Sequence, residues 1–204
     1  MSVNLRKGQK INLSKENRGL SRVMVGLGWD EVRQSGGLLG FLKGKAQDID
    51  CDAFAILLGA DGKVIKKSSN IRDCTVFFNN LMWPGGSIRH MGDNLTGAGE
   101  GDDEQIFVDL AHVPENIHSI VFAVNIYEAY KRKQHFGMIR NAFIRVVDHE
   151  RNVELCRFEL NENYSNKTAL IAGSLTRQNG SWEFVTDGSS ARVENLVDIV
   201  AAFH

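Results

Sequence analysis

Thirteen residues, Gly92-Asp93-Asn94-Leu95-Thr96-Gly97-Ala98-Gly99-Glu100-Gly101-Asp102-Asp103-Glu104, hold five carboxylates and four glycines. From His90 to Tyr130 the chain has no lysine or arginine to balance them. Carboxylates packed at roughly 4–6 Å repel by on the order of 1 kcal/mol per pair even at a surface-like dielectric. A cation relieves that repulsion. Oxygen donors on glycine-rich backbone suit calcium, which takes roughly 6–8 oxygens in irregular geometry; magnesium demands a near-octahedral shell and usually arrives with a phosphate ligand.

Two further acidic groups stand elsewhere in the chain. Asp48-Ile49-Asp50-Cys51-Asp52 alternates carboxylate with apolar residues just before the run Ala53–Leu58. In extended chain alternate residues share a face, so the three carboxylates are expected to point together. Asp30 closes the strand-like Gly26-Leu27-Gly28-Trp29, and Asn79-Asn80 offers neutral amide oxygens after another strand. A solvated turn is the simpler account of the acidic loop taken alone. Oxygen-bearing residues at the ends of several strands, which converge on one rim in a sandwich, favour a metal.

Two familiar motifs fail on inspection. The Asp-x-Asp-x-Asp pattern lacks the glycine and glutamate of a calcium-binding helix–loop–helix, because Ala53 and Gly59 occupy those positions. Gly97-x-Gly99-x-Gly101 imitates a phosphate loop, yet no lysine follows and its acidity would repel phosphate.

The elements that must position these groups are mostly strands. Short apolar runs rich in β-branched and aromatic residues cover 23–29, 53–58, 75–78, 106–108, 120–124, 142–147, 155–160, 168–175 and 182–185. Asp61-Gly62 and Asn179-Gly180 read as type I′ hairpin turns. Helices are expected over Tyr127–Phe136 and over the C-terminal stretch of about 190–203, where Val193, Leu196, Val197, Val200 and Phe203 recur at helical spacing after a Ser189 or Ser190 cap. The fold class is therefore mainly β: an antiparallel β-sandwich with one or two short helices, including a C-terminal one. Residues 1–204 read as one domain, with a Gly/Lys-rich loop at 31–47 that carries Lys43 and Lys45.

Composition sets limits. A net charge of −1 gives no global argument for nucleic acid or an anionic membrane. Cys51, Cys74 and Cys156 are odd in number and widely spaced, which argues against a disulfide framework or a zinc site and for buried thiols in a cytoplasmic protein. No stretch approaches the roughly 20 apolar residues of a membrane helix. The six histidines form no zinc spacing, there is no GxSxG elbow, and no cysteine sits in a nucleophile context. The expectation is a protein that is not an enzyme. The alternative is a magnesium- or manganese-dependent hydrolase of a phosphorylated substrate, for which the cation missing beside the acidic loop would have to come from Lys43 or Lys45.

Motifs in order along nearly the whole chain resemble the TerD family of bacterial tellurium-resistance and general-stress proteins. They are Leu5-Arg6-Lys7-Gly8-Gln9-Lys10-Ile11-Asn12-Leu13, Val25-Gly26-Leu27-Gly28-Trp29-Asp30, Asp48-Ile49-Asp50-Cys51-Asp52-Ala53, the acidic loop itself, Arg132-Lys133-Gln134-His135-Phe136-Gly137 and Asn141-Ala142-Phe143-Ile144-Arg145. The resemblance implies a β-sandwich binding two calcium ions (Ca2+) at one end of its sheets, with no established enzymatic activity. It also implies partners among other stress- or tellurium-resistance proteins, including a membrane-associated complex. Asp30, Asp48, Asp50, Asp93, Asn94, Thr96, Gly97, Gly99, Glu100, Asp102, Asp103 and Glu104 fall on the family's acidic positions, the two glycines offering only backbone carbonyls. Where many relatives carry Ile-Gly-Gln-Gly after the last strand, this chain has Val185-Thr186-Asp187-Gly188-Ser189.

Overall fold

The computed structural model describes residues 2–31, 49–92 and 101–204. Twelve strands are described: β1 (Val3–Leu5), β2 (Lys10–Asn12), β3 (Arg22–Glu31), β4 (Cys51–Leu58), β5 (Thr75–Val76), β6 (Ile88–His90), β7 (Glu104–Asp109), β8 (Ser119–Ile126), β9 (Ile139–Asp148), β10 (Val153–Glu159), β11 (Ala169–Gln178) and β12 (Ser181–Ala191). Short helices α1 (Leu13–Glu16), α2 (Ala129–Arg132) and α3 (Leu196–Ala201) accompany them. One sheet runs β1-β10-β9-β3-β7-β6 and the other β2-β12-β11-β8-β4-β5. Pairing is antiparallel except where β1 runs parallel to β10.

The strand sequences explain the layers. Cys51, Ala53, Ala55 and Leu57 on β4 join Val23, Val25, Leu27, Ile106, Val108, Phe122 and Ile144 in the core between the sheets. The alternate residues Phe54, Ile56 and Leu58 turn outward and are covered by Ile199 and Val200 of α3. Both faces of β4 are thus buried, so its sequence is continuously apolar instead of alternating. Each fully buried phenylalanine, such as Phe54, Phe122 and Phe184, contributes roughly 1.5–3 kcal/mol from burial. The cysteines are all buried, and burial pushes the Cys156 thiol up to about 12.

Three local expectations change. The helix expected over 127–136 shrinks to α2, bracketed by Glu128 and Lys133 in left-handed backbone with no side-chain cap at its start. The C-terminal helix begins later than expected, because Ser189 and Ser190 are drawn into β12 opposite Ile171 and Leu170. Asn195 caps α3 instead, accepting from Val197 and Asp198 while the Asp198 carboxylate accepts from Asn195 N–H. Asn179 and Gly180 both have positive φ, as a type I′ turn requires, whereas at Asp61-Gly62 only the glycine does and the loop closes through Gly59 and Lys63.

Candidate functional site

Strand register gathers the acidic groups at one rim. β3 and β7 are antiparallel with Leu27 opposite Glu104, so the Asp30 end of β3 lies beside the start of β7. β4 begins at the same end of the other sheet, and Ala53 N–H donates to Glu104 Oε2 at 2.7 Å. Asp30, Asp50, Asp102, Asp103 and Glu104 are described; Asp48, Asp93, Asn94, Thr96, Gly97, Gly99 and Glu100, with Lys43 and Lys45, lie outside the described residues. Among the described residues no three His, Cys, Asp or Glu side chains come together as a ready metal cage.

The foot of the acidic loop is bound to the sheet by three carboxylates in different ways. The Asp102 side chain is out of solvent and receives a fork from Arg145, Nε to Oδ1 at 2.7 Å and Nη2 to Oδ2 at 2.9 Å, with Gln105 Nε2 adding 3.2 Å. A two-pronged guanidinium–carboxylate pair fixes orientation as well as charge. Gly26 makes room for it: a Cβ there would overlap the Asp102 carboxylate. At Gly28 a Cβ would sit 2.6 Å from the Gly101 carbonyl oxygen, so the Gly-x-Gly of β3 exists to let the loop cross its backbone.

Asp103 holds the loop by backbone on both sides. Its N–H donates to Leu27 O at 2.8 Å and its Oδ2 accepts from Trp29 N–H at 2.7 Å. Burial pushes its carboxyl up to about 6, against the pull of the Trp29 N–H, and the charges of Asp30, Asp102 and Glu104 push it further. The charges of three other carboxylates thus bear on Asp103, although among the described residues they do not close into a metal cage. Asp30 itself is exposed and accepts from Asn141 Nδ2 at 2.8 Å.

Glu104 is buried with His90, both side chains wholly out of solvent, at 3.1 Å. The His90 Nδ1 accepts from Gly92 N–H at 3.1 Å, which puts the ring proton on Nε2, shared between Glu104 Oε2 and Ala53 O at 3.0 Å. One histidine thus ties both ends of the acidic loop to β4. Asp50 has Arg132 Nη1 3.6 Å away, and Asp52 is buried on the same strand face as Phe54 and Ile56, opposite Asn125 of β8. Asn80 serves elsewhere: its Nδ2 donates to Thr75 O at 2.7 Å.

Sequence reading gave Gly26, Arg132 and Arg145 only as motif members and assigned no site role to them or to His90. From Gly92 to Glu104 the loop carries no cation of its own, but β9 brings Arg145 to Asp102 from 43 residues away (145 − 102), and α2 brings Arg132 to Asp50 from 82 (132 − 50). The paired Arg145–Asp102 contact left no signal in local spacing. Between Trp29, Asp30, Gly101, Asn141, Phe143, Arg157 and Glu159 the rim opens into a cleft of about 450 Å³.

The TerD domain profile matches residues 1–203. The chain belongs to the TerD family. Among TerD-family relatives, Stress response protein SCP2 of Bacillus subtilis (strain 168) is 45% identical over 204 residues, covering 100% of both chains. General stress protein 16U of the same organism is 47% identical over 189 residues, 93% of this chain and 91% of that one. Tellurium resistance protein TerD of Serratia marcescens is 43% identical over 184 residues, 90% of this chain and 88% of that one. A solved structure of a Streptomyces coelicolor A3(2) homologue of telluride resistance protein (TerD) aligns with a TM-score of 0.61 at 22% identity, over 88% of this chain and 95% of that one, which shows a shared fold. No helix among the described residues is long and apolar enough to cross a membrane.

Proposed function

We propose that this TerD-family chain is a cytoplasmic, non-enzymatic stress-response protein that binds about two calcium ions at its acidic rim. The ordered loop then presents a surface to other proteins of a stress- or tellurium-resistance system, a membrane-associated complex among them. The observation that carries the reading is the corner at Asp103. The charges of three other carboxylates bear on it, and of these Arg145 compensates Asp102 alone by direct contact. The donors are all oxygen, which suits a hard cation.

Asp30, Asp50 and Asp103, with Asp48, Asp93, Asn94, Thr96, Gly97, Gly99 and Glu100 of the two acidic stretches, would hold the metal. Asp102 and Glu104 hold the loop in place, since Arg145 occupies both oxygens of Asp102 and Ala53 N–H and His90 share one oxygen of Glu104. Among the described residues no cation is among the groups that shift Asp103, and bound calcium would supply that charge. The hydrolase alternative needs a cation ready to take a phosphate at the rim, and the arginines described there are already paired: Arg145 with Asp102 and with Glu154 at 3.3 Å, and Arg157 with Glu154 at 3.0 Å.

Calorimetric titration tests the reading. Calcium is expected to bind in the micromolar range if it signals, at roughly 10⁻⁷–10⁻⁵ M, and more tightly if it is a permanent structural ion. Magnesium should bind far more weakly. Absence of heat with millimolar calcium, in protein freed of metal by chelation, would remove the proposal.

A further inference from the structure

At the opposite end of β3, about 25 Å from Asp30 by strand rise, the outer face of the sheet holds a separate pocket of about 170 Å³. It is lined chiefly by Arg22, Ser87, Arg89, Phe107, Asp109 and His149. None of these belongs to the acidic rim. We propose that this pocket binds a small tetrahedral oxyanion: inorganic phosphate or sulfate, or the phosphate end of a phosphomonoester.

Backbone pairing builds the pocket as a rigid corner. Arg22 lies opposite Asp109, Asp109 N–H donates to Ser87 O at 2.8 Å, and His149 N–H donates to Arg22 O at 3.1 Å. Arg89 lies opposite Phe107, whose ring meets the His149 ring edge-on at 4.5 Å. Ile88 turns into the core, so Ser87 and Arg89 on either side of it face outward.

Charge and hydrogen-bond supply favour an anion. Two guanidinium groups face one carboxylate, and that carboxylate is already engaged, by Arg22 Nε at 3.3 Å and by His112 Nδ1 at 2.9 Å. Among the described residues the Arg89 guanidinium has no ion pair or side-chain hydrogen bond, and its fork matches tetrahedral oxygens. The Ser87 hydroxyl is the second, independent sign. Ser87 is 4% exposed, and its Oγ is buried without a hydrogen-bond partner among the described residues. A buried hydroxyl in that condition is expected to find a ligand or water acceptor. The volume holds several waters, or one five-atom oxyanion beside the Arg89 guanidinium, which the Ser87 hydroxyl would reach by a small rotation.

The test is titration of the 204-residue chain, freed of metal by chelation, with inorganic phosphate, followed by calorimetry and by phosphorus NMR line width. Chelation keeps any rim metal out of the result, so failure here and failure of the calcium reading are separate events. Parallel titrations use sulfate, glycerol 3-phosphate and chloride. Saturable phosphate binding is expected, weakened about tenfold or more by Arg89→Gln and several-fold by Ser87→Ala. Tighter binding of glycerol 3-phosphate would assign a phosphomonoester, and preference for the free ion an inorganic oxyanion. Arg89 is exposed and Ser87→Ala is small, so both variants should fold, which a melting curve verifies. Equal binding by wild type and Arg89→Gln, equal competition by chloride, or no binding of either phosphate probe at millimolar concentration would overturn the assignment.

Discussion

Asp103 carries the sharpest consequence at the scale of single residues. Its folded carboxyl titrates at about 6 in place of 3.8, chiefly because it is buried and then because carboxylates surround it. Between those two values the folded protein holds this proton more firmly than the unfolded chain does. Metal-free stability should therefore fall as pH rises from about 4 to about 6 and level off above, by on the order of 1–2 kcal/mol after allowance for partial exposure. Thermal melts in chelator across that range read the slope directly. Asp103→Asn should abolish the slope and raise metal-free stability while lowering calcium affinity, two effects of opposite sign. A variant that lost stability and affinity together would place Asp103 among ordinary structural residues.

Pairs of elements decide whether the loop has a seat. Arg145 on β9 reaches across β3 to Asp102, and only the bare backbone of Gly26 leaves space between them. Arg145→Met leaves a buried carboxylate uncompensated and should destabilise the fold by about 3 kcal/mol, with much of the loss recovered in the Arg145→Met, Asp102→Asn double variant. Gly26→Ala should cost about 1–3 kcal/mol by overpacking at the same seat. Denaturant midpoints measure both, and full stability in either single variant would contradict the described packing. At the far side of the molecule, Asn195→Ala removes the cap of α3 and should cost about 1 kcal/mol. Because α3 covers Phe54 and Ile56, that loss should appear first as faster amide exchange at the C-terminus.

For the whole molecule, ions that bind only the folded chain stabilise it by mass action. One calcium at a hundredfold excess over its dissociation constant adds about 2.7 kcal/mol, and two independent sites add twice that. Scanning calorimetry with and without calcium should show a rise in melting temperature that magnesium at equal concentration does not reproduce. Sandwich class, the positions of most strands, the Asn179-Gly180 turn and the TerD motifs were legible in the chain, because period-two apolar patterning, turn chemistry and motif order are local properties. The C-terminal helix was legible as an amphipathic repeat, yet its start was not. Ser189 and Ser190 satisfy a cap pattern as well as a strand pattern, and pairing with β11 selected the strand. Sequence alone thus determined that acidic chain segments lie at strand ends and that several carboxylates must be balanced. Tertiary structure alone decided how some of that balance is achieved: Arg145 meets Asp102, His90 is buried against Glu104, and Asp103 accepts the Trp29 N–H among like charges. Partners tens of residues apart in the chain become neighbours only through strand register, and no local spacing records that.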